Sequence, residues 1–157
     1  MPTPTPFLWF DTEAEEAAEH YTSIFPNSRI HEVARYGAAG PGEEGTVMTV
    51  AFELDGQRFT ALNGGPEYRF SEAVSFQIDC ETQEEVDHYW NRLSEGGEEG
   101  PCGWLKDRFG LSWQVVPNAL PRLLSDPDRA KSQRVMSAML EMRKLDIAGL
   151  ERAAADA

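Results

Sequence analysis

Hydrophobic and polar positions along this chain spell one order of elements twice. The apolar run Phe7-Leu8-Trp9-Phe10 predicts a short strand. Asp11 or Thr12 follows as a helix N-cap, with Glu13, Glu15 and Glu16 near the positive end of the helix dipole. Ala14, Ala17, Ala18, Tyr21 and Ile24-Phe25 recur at helical spacing and predict one buried stripe, ending before Pro26-Asn27. A strand is expected from Arg29 to Tyr36, then a loop over Gly37-Ala38-Ala39-Gly40-Pro41-Gly42. Thr46 to Leu54 alternates, Asp55-Gly56 is a hairpin signal, and Gln57 to Leu62 returns as the partner strand. Asn63-Gly64-Gly65-Pro66 closes this half.

The second half repeats the order. Ala73 to Ile78 predicts a strand with Val74, Phe76 and Ile78 on one face. Thr82 is an N-cap for a helix from Gln83 to Leu93, closed by Gly96-Gly97. A short strand near Cys102 to Leu105 leads into the turn Asp107-Arg108-Phe109-Gly110. The last strand alternates, with Leu111, Trp113 and Val115 on one face and Ser112, Gln114 and Val116 on the other. Strand–helix–strand–strand–strand thus appears over 7–66 and again over 71–117. Hairpins after each helix favour a mixed or antiparallel sheet over a doubly wound parallel one, so the class is α+β.

A helical tail over 118–157 completes the single domain. A helix near Leu120 to Leu124 is broken by Asp126-Pro127, and Asp128 caps a long helix. Val135, Met136, Met139, Met142 and Leu145 lie on one stripe of it and read as packing, on the sheet or on a partner subunit. Asp146-Ile147-Ala148-Gly149-Leu150 predicts a second short helix.

Composition narrows the setting. Apolar residues make up 41% of 157, enough for one globular core. No apolar run approaches the ~20 residues that span a bilayer. The segment Met1-Pro2-Thr3-Pro4-Thr5-Pro6 has neither a basic region nor an apolar signal core, so a cytoplasmic location is expected. Two cysteines, Cys80 and Cys102, make no disulfide framework and fit a reducing compartment. A net charge of −13 argues against nucleic-acid and anionic-membrane partners and favours solubility; a cationic substrate is compatible with it.

Four stretches carry a resemblance that spans nearly the whole chain. They are Phe7–Asp11 with Phe25-Pro26-Asn27-Ser28, then Ala61–Pro66, then Ser71–Phe76 running on to Trp90, and Cys102–Gly110 with Ser112-Trp113-Gln114. Together they resemble the PhnB-like branch of the glyoxalase/bleomycin-resistance/dioxygenase (vicinal oxygen chelate) superfamily, a branch often labelled 3-demethylubiquinone-9 3-methyltransferase. The resemblance implies two βαβββ modules in a curved sheet that lines a pocket, and a homodimer. It also implies that a metal-using relative would place a Glu four residues after the turn glycine, where this chain has Gln114.

The residues themselves offer little metal chemistry. A divalent site needs several convergent anionic or imidazole groups. Phe7 to Phe10 supply none, His20 and His88 fall on helices, and His31 lies on a strand that does not usually supply ligands; Glu72 alone is a plausible ligand. No metal and no other cofactor is expected. A methyltransferase in a Rossmann-like fold would carry a glycine-rich strand-to-helix turn, and neither Asp11-Thr12 nor Cys80-Glu81 is one. What remains is aromatic and amide chemistry. Trp9, Trp104, Trp113, Phe76 and Tyr68 can stack on a flat ligand or simply fill a core, while Asn63, Gln77 and Gln114 can orient one, and Ser75 and Ser112 add hydroxyls. The expected ligand-binding set is Trp9, Asn63, Ser75, Gln77, Trp104 and Gln114. Cys102, with Lys106 as a cation to lower its pKa, and Glu72 are the catalytic candidates. The expected function is binding of a small, partly apolar molecule. Its rivals are an enzyme of the lyase, isomerase or dioxygenase type with an atypical or absent metal, and a dimer whose pocket is vestigial.

Overall fold

Each half of the sequence folds into a four-stranded mixed sheet with one helix against it. A computed structural model describes residues 2–156, which divide into two units, one reaching Phe70 and one starting at Ser71. The first contains β1 (Phe7–Phe10), α1 (Ala14–Ile24), β2 (Arg29–Arg35), β3 (Val47–Leu54) and β4 (Gln57–Asn63). Its sheet order is β1-β4-β3-β2, with β1 parallel to β4 and the other pairs antiparallel. Leu8, Phe10, Val50, Phe52, Leu54, Phe59 and Ala61 are buried, as are Ala14, Ala17, Ala18, Tyr21 and Ile24 of α1. Three alanines on that stripe let the helix lie close to the sheet, and Tyr21 stacks on Phe52. Asp55 (φ 44°) and Gly56 (φ 90°) turn the β3–β4 hairpin in the left-handed region that a two-residue loop of this twist requires.

Neither Asp11 nor Thr12 caps α1. Asn63 does so from the end of β4, its Oδ1 accepting a hydrogen bond from Ala14 N at 2.8 Å. The parallel register sets Asn63 beside Phe10, so its side chain arrives where the helix begins. A cap supplied from a distant strand cannot be read from the residues next to the helix.

The second unit repeats the topology with β5 (Ser75–Cys80), α2 (Gln83–Ser94), β6 (Glu98–Glu99), β7 (Trp104–Lys106) and β8 (Ser112–Pro117), ordered β5-β8-β7-β6. Thr82 caps α2 as expected, accepting from Glu85 N. β5 starts two residues later than the pattern suggested, because Ser75 is aligned with Ser112, the first residue of β8, and Val74 upstream is exposed. Cys102 is not in a strand: it has φ 57° and forms a turn with Gly103 ahead of β7. The two-residue β6 had no signal in the sequence.

The turn between β7 and β8 is organised by Asp107, which is 2% exposed. Its Oδ1 accepts from Phe109 N and Leu111 N at 2.9 and 3.0 Å, and its Oδ2 accepts from Trp113 Nε1 at 2.9 Å. Gly110 N donates to Asp107 O, and Gly110 takes φ +90°, which glycine adopts without steric cost. The alternation expected along β8 holds as geometry but not as burial. Leu111, Trp113 and Val115 are buried, and so are Ser112 and Val116 on the other face. β8 lies between β5 and β7, and Val116 packs into a cluster formed by the tail.

That tail forms α3 (Ala119–Leu124), α4 (Arg129–Leu140) and α5 (Ile147–Ala155). Asp128 caps α4 by accepting from Ala130 N and Lys131 N. α4 ends at Leu140, so Met142 and Leu145 belong to the link to α5 and not to one long helix. Leu120, Leu123, Val135, Leu145, Leu150 and Val116 form the cluster, and Met139 and Met142 pack against it. Two methionines of the stripe thus cover their own chain. Gln83 ties the tail to α2: its Nε2 donates to Leu145 O and its Oε1 accepts from Ile147 N. Among the described residues, no helix is long and apolar enough to cross a membrane.

Replacing the Asp107 carboxylate removes three hydrogen bonds at once and strands buried donors. Asp107→Ala should lower unfolding free energy by on the order of 3 kcal/mol in urea titrations. A loss below about 1 kcal/mol would show that the backbone bonds of the turn suffice without the side chain.

Candidate functional site

Register across the second sheet decides which side chains share a face. Ser75 lies beside Ser112, Ser112 beside Lys106, and Lys106 beside Glu98. One step along, Gln77 lies beside Gln114 and Gln114 beside Trp104. These two rows point away from the face that buries Leu105, Trp113 and Val115. Four of the expected ligand-binding residues, Ser75, Gln77, Trp104 and Gln114, therefore stand together on one face.

The contacts within the rows differ in kind. Gln114 Nε2 donates to Ser75 Oγ at 2.9 Å, while Gln77 Nε2 turns along its own strand to Asp79 Oδ1 at 2.7 Å. Lys106 pairs with Glu72, the expected catalytic carboxylate, and not with Cys102. The hydrogen bond and charge of the ammonium hold the Glu72 carboxyl below its ordinary range, and Glu72 in turn raises Lys106, with Glu98 adding to the effect. Among the described residues Ser112 Oγ has no hydrogen-bond partner, although Ser112 is only 1% exposed. A cleft of about 380 Å³ opens at this end of the sheet, lined by Glu72, Glu98, Glu99, Trp104, Lys106 and Ser112 among others.

The first unit holds the other two expected ligand-binding residues. Trp9 Nε1 donates to Gly65 O at 2.8 Å, and Tyr68 meets its ring edge-on. Gly64 lies against the Trp9 ring so closely that a Cβ there would come within 2.4 Å of it. Asn63, besides capping α1, donates from Nδ2 to Val47 O, and its carbonyl accepts from Tyr36 Oη. It borders a larger cleft of about 640 Å³ with Arg35, Tyr36 and Glu43. The smaller cleft is the stronger candidate despite its size. Its buried Ser112 hydroxyl has no partner, whereas the Asn63 amide in the larger one is already engaged on both atoms.

The remaining candidates have other surroundings. Cys102 is half-buried on its turn, its backbone N donating to Met142 O. Cys80 is buried at the end of β5, and loss of hydration pushes its thiol up to about 12, with Glu85 and Asp79 adding to the shift. Trp113, one of the aromatics weighed for stacking, is a core residue held by Asp107. His31 Nε2 lies 3.3 Å from Glu53 Oε1, and His88 meets Tyr89 edge-on. Glu98 and Glu99, which line the cleft, had no role assigned from sequence, since a two-residue strand leaves no pattern there.

The metal chemistry of the glyoxalase superfamily does not fit these residues. Gln114 is an amide hydrogen-bonded to Ser75, Glu72 is engaged by Lys106, and β1 offers only Phe7, Leu8, Trp9 and Phe10. Among the described residues, no group of three or more His, Cys, Asp or Glu could hold a metal ion.

Comparison with known proteins agrees with the topology. A family model described as 3-demethylubiquinone-9 3-methyltransferase matches residues 2–116. A putative 3-demethylubiquinone-9 3-methyltransferase, PhnB protein, from Bacillus cereus is 37% identical. That alignment covers 74% of this chain and 99% of the other, with a TM-score of 0.66. A protein from Pseudomonas aeruginosa, 20% identical over 74% of this chain and 98% of its own, shares the fold with a TM-score of 0.63. So does the fosfomycin resistance protein FosX from Listeria monocytogenes, 15% identical over 75% of this chain and 93% of its own, with a TM-score of 0.50. No curated protein matches the chain.

The ion pair at the cleft gives a direct test of its electrostatics. Because Glu72 titrates low, the pair supports the fold above the ordinary Glu range, and that support is lost as pH falls through the lowered value. In Lys106→Met the Glu72 carboxyl should titrate measurably higher by carbon-13 NMR. An unmoved titration would mean that Lys106 does not engage it in solution.

Proposed function

Because the chain belongs to the 3-demethylubiquinone-9 3-methyltransferase family of PhnB-like, glyoxalase-fold proteins, we propose that it binds a small, partly apolar molecule on the open face of its second sheet, without the superfamily's metal. One observation carries the reading: the strand register gathers Ser75, Gln77, Trp104 and Gln114 on one face, beside a cleft lined by Trp104. An indole offers a stacking surface, and the amides and hydroxyls fix orientation around it. The methyl-transfer chemistry in the family's description has no support in the strand-to-helix turns, Asp11-Thr12 and Cys80-Glu81. Neither is a glycine-rich loop that would cradle a nucleotide-like cofactor.

Molecules released from the purified protein, identified by mass spectrometry, provide the ligand for the test. Gln114 is half-buried and bonded only to the Ser75 hydroxyl, so its truncation leaves no dry polar group behind. Gln114→Ala should weaken binding by roughly 1–3 kcal/mol and change the melting temperature little. A large drop in melting temperature with unchanged affinity would make Gln114 a structural residue.

The same reading includes a two-fold homodimer. Its support is the free edges of the sheets, since β2 and β6 each pair on one side only among the described residues. The Met139 and Met142 surface contributes less than the sequence suggested, as both pack on their own helices. Light scattering at micromolar concentration should give twice the chain mass; a monomer mass removes the dimer.

A further inference from the structure

The cleft beside Lys106 holds more negative charge than its ion pair neutralises. Glu72 and Glu98 stand with a single ammonium among the lining residues, Lys106, leaving one carboxylate in surplus (two minus one). Glu99, beside Leu105, turns to the other face, where its Oε1 accepts from Trp90 Nε1 at 2.7 Å. Glu98 lies beside Lys106 in the β6–β7 pair. We propose that this cleft takes an organic cation, an amine or related ammonium carried on a flat apolar body. The inference rests on the binding function proposed above and names its substrate class.

Three features point to that chemistry. Trp104 supplies an aromatic surface on which a cation or a flat ring can sit. The carboxylates do not form a group that could hold a metal ion, so the positive charge that answers them belongs to something larger than a bare ion. Ser112 is the independent sign of a ligand. Its Oγ is buried, lies on the same face as Lys106, borders the cleft and lacks any partner among the described residues. A buried hydroxyl is unfavourable until it is hydrogen-bonded, and an ammonium N–H entering the cleft would donate to it. A simple anion would gain Lys106 only by competing with Glu72, and it would face the Glu98 carboxylate. The overall charge of −13 favours approach of a cation as well.

Three probes of one shape separate charge from shape: benzylamine, benzyl alcohol and benzoate. Each is titrated into the full chain with nitrogen-15-labelled tryptophan, following the indole N–H signal of Trp104 assigned through Trp104→Phe. Benzylamine should shift that signal saturably and bind at least tenfold tighter than benzyl alcohol, and benzoate should leave it in place. Ser112→Ala should weaken benzylamine several-fold while the melting temperature holds or rises, since the lost hydroxyl had no partner. Glu98→Gln, at an exposed position, should also weaken it several-fold. Benzyl alcohol or benzoate binding as tightly as benzylamine would overturn the cation assignment and leave the binding function standing. Unchanged benzylamine affinity in both Ser112→Ala and Glu98→Gln would overturn it equally. If none of the three probes moves Trp104, the cation assignment and the proposed binding face fall together.

Discussion

One buried carboxylate sets the position of the strand on which the second unit depends. Asp107 accepts two backbone N–H groups of its own turn and the indole N–H of Trp113, all from a site almost closed to water. A carboxyl group in such a place is tolerable only when it is hydrogen-bonded, and three donors reach it. The consequence runs outward. Trp113 is fixed in the core, so β8 has one register, and β8 is the strand that both β5 and β7 pair with. A slip of one residue would turn Ser112 and Gln114 to the helix side and Trp113 outward.

The polar side chains fall into two kinds by how fully their hydrogen bonds are made within the chain. Polar groups of the first kind, such as Asp107, Asn63 and Gln83, have their hydrogen bonds made within the chain and hold elements together. Those on the open face of the second sheet are less complete. Gln114 and Ser75 satisfy each other in part, Lys106 leans on Glu72 with Glu98 beside it, and the Ser112 hydroxyl has no partner among the described residues. The binding proposed for the second sheet draws on that incomplete set.

The sequence made the repeating order of elements legible because hydrophobic period and turn residues report local structure. Thr82, Asp128, Asp55-Gly56 and the Asp107–Gly110 turn each sit where their side chains suggested. What it hid was long-range. Asn63 caps a helix that begins 49 positions earlier, Gln83 reaches the tail 62 and 64 positions later, and β6 is too short to show a period. At the site, alternation along β8 placed Gln114 and Ser112 on one face. The charge pattern did not show, because Glu72, Glu98 and Glu99 come together only through the β5-β8-β7-β6 pairing and the loop before it. Lys106 looked like a neighbour for Cys102 because they are close in sequence, whereas Cys102 turns away in a left-handed conformation and Lys106 finds Glu72.

The tie from Gln83 to the tail crosses the limit of the family match. The family match stops at Val116, in the final strand, yet that same Val116 is covered by Leu120, Leu123, Val135 and Leu145 from beyond the match. Gln83 then clasps Leu145 and Ile147 to the first turn of α2, inside the matched region. The matched stretch taken alone would leave Val116 uncovered and the Gln83 amide without these two partners.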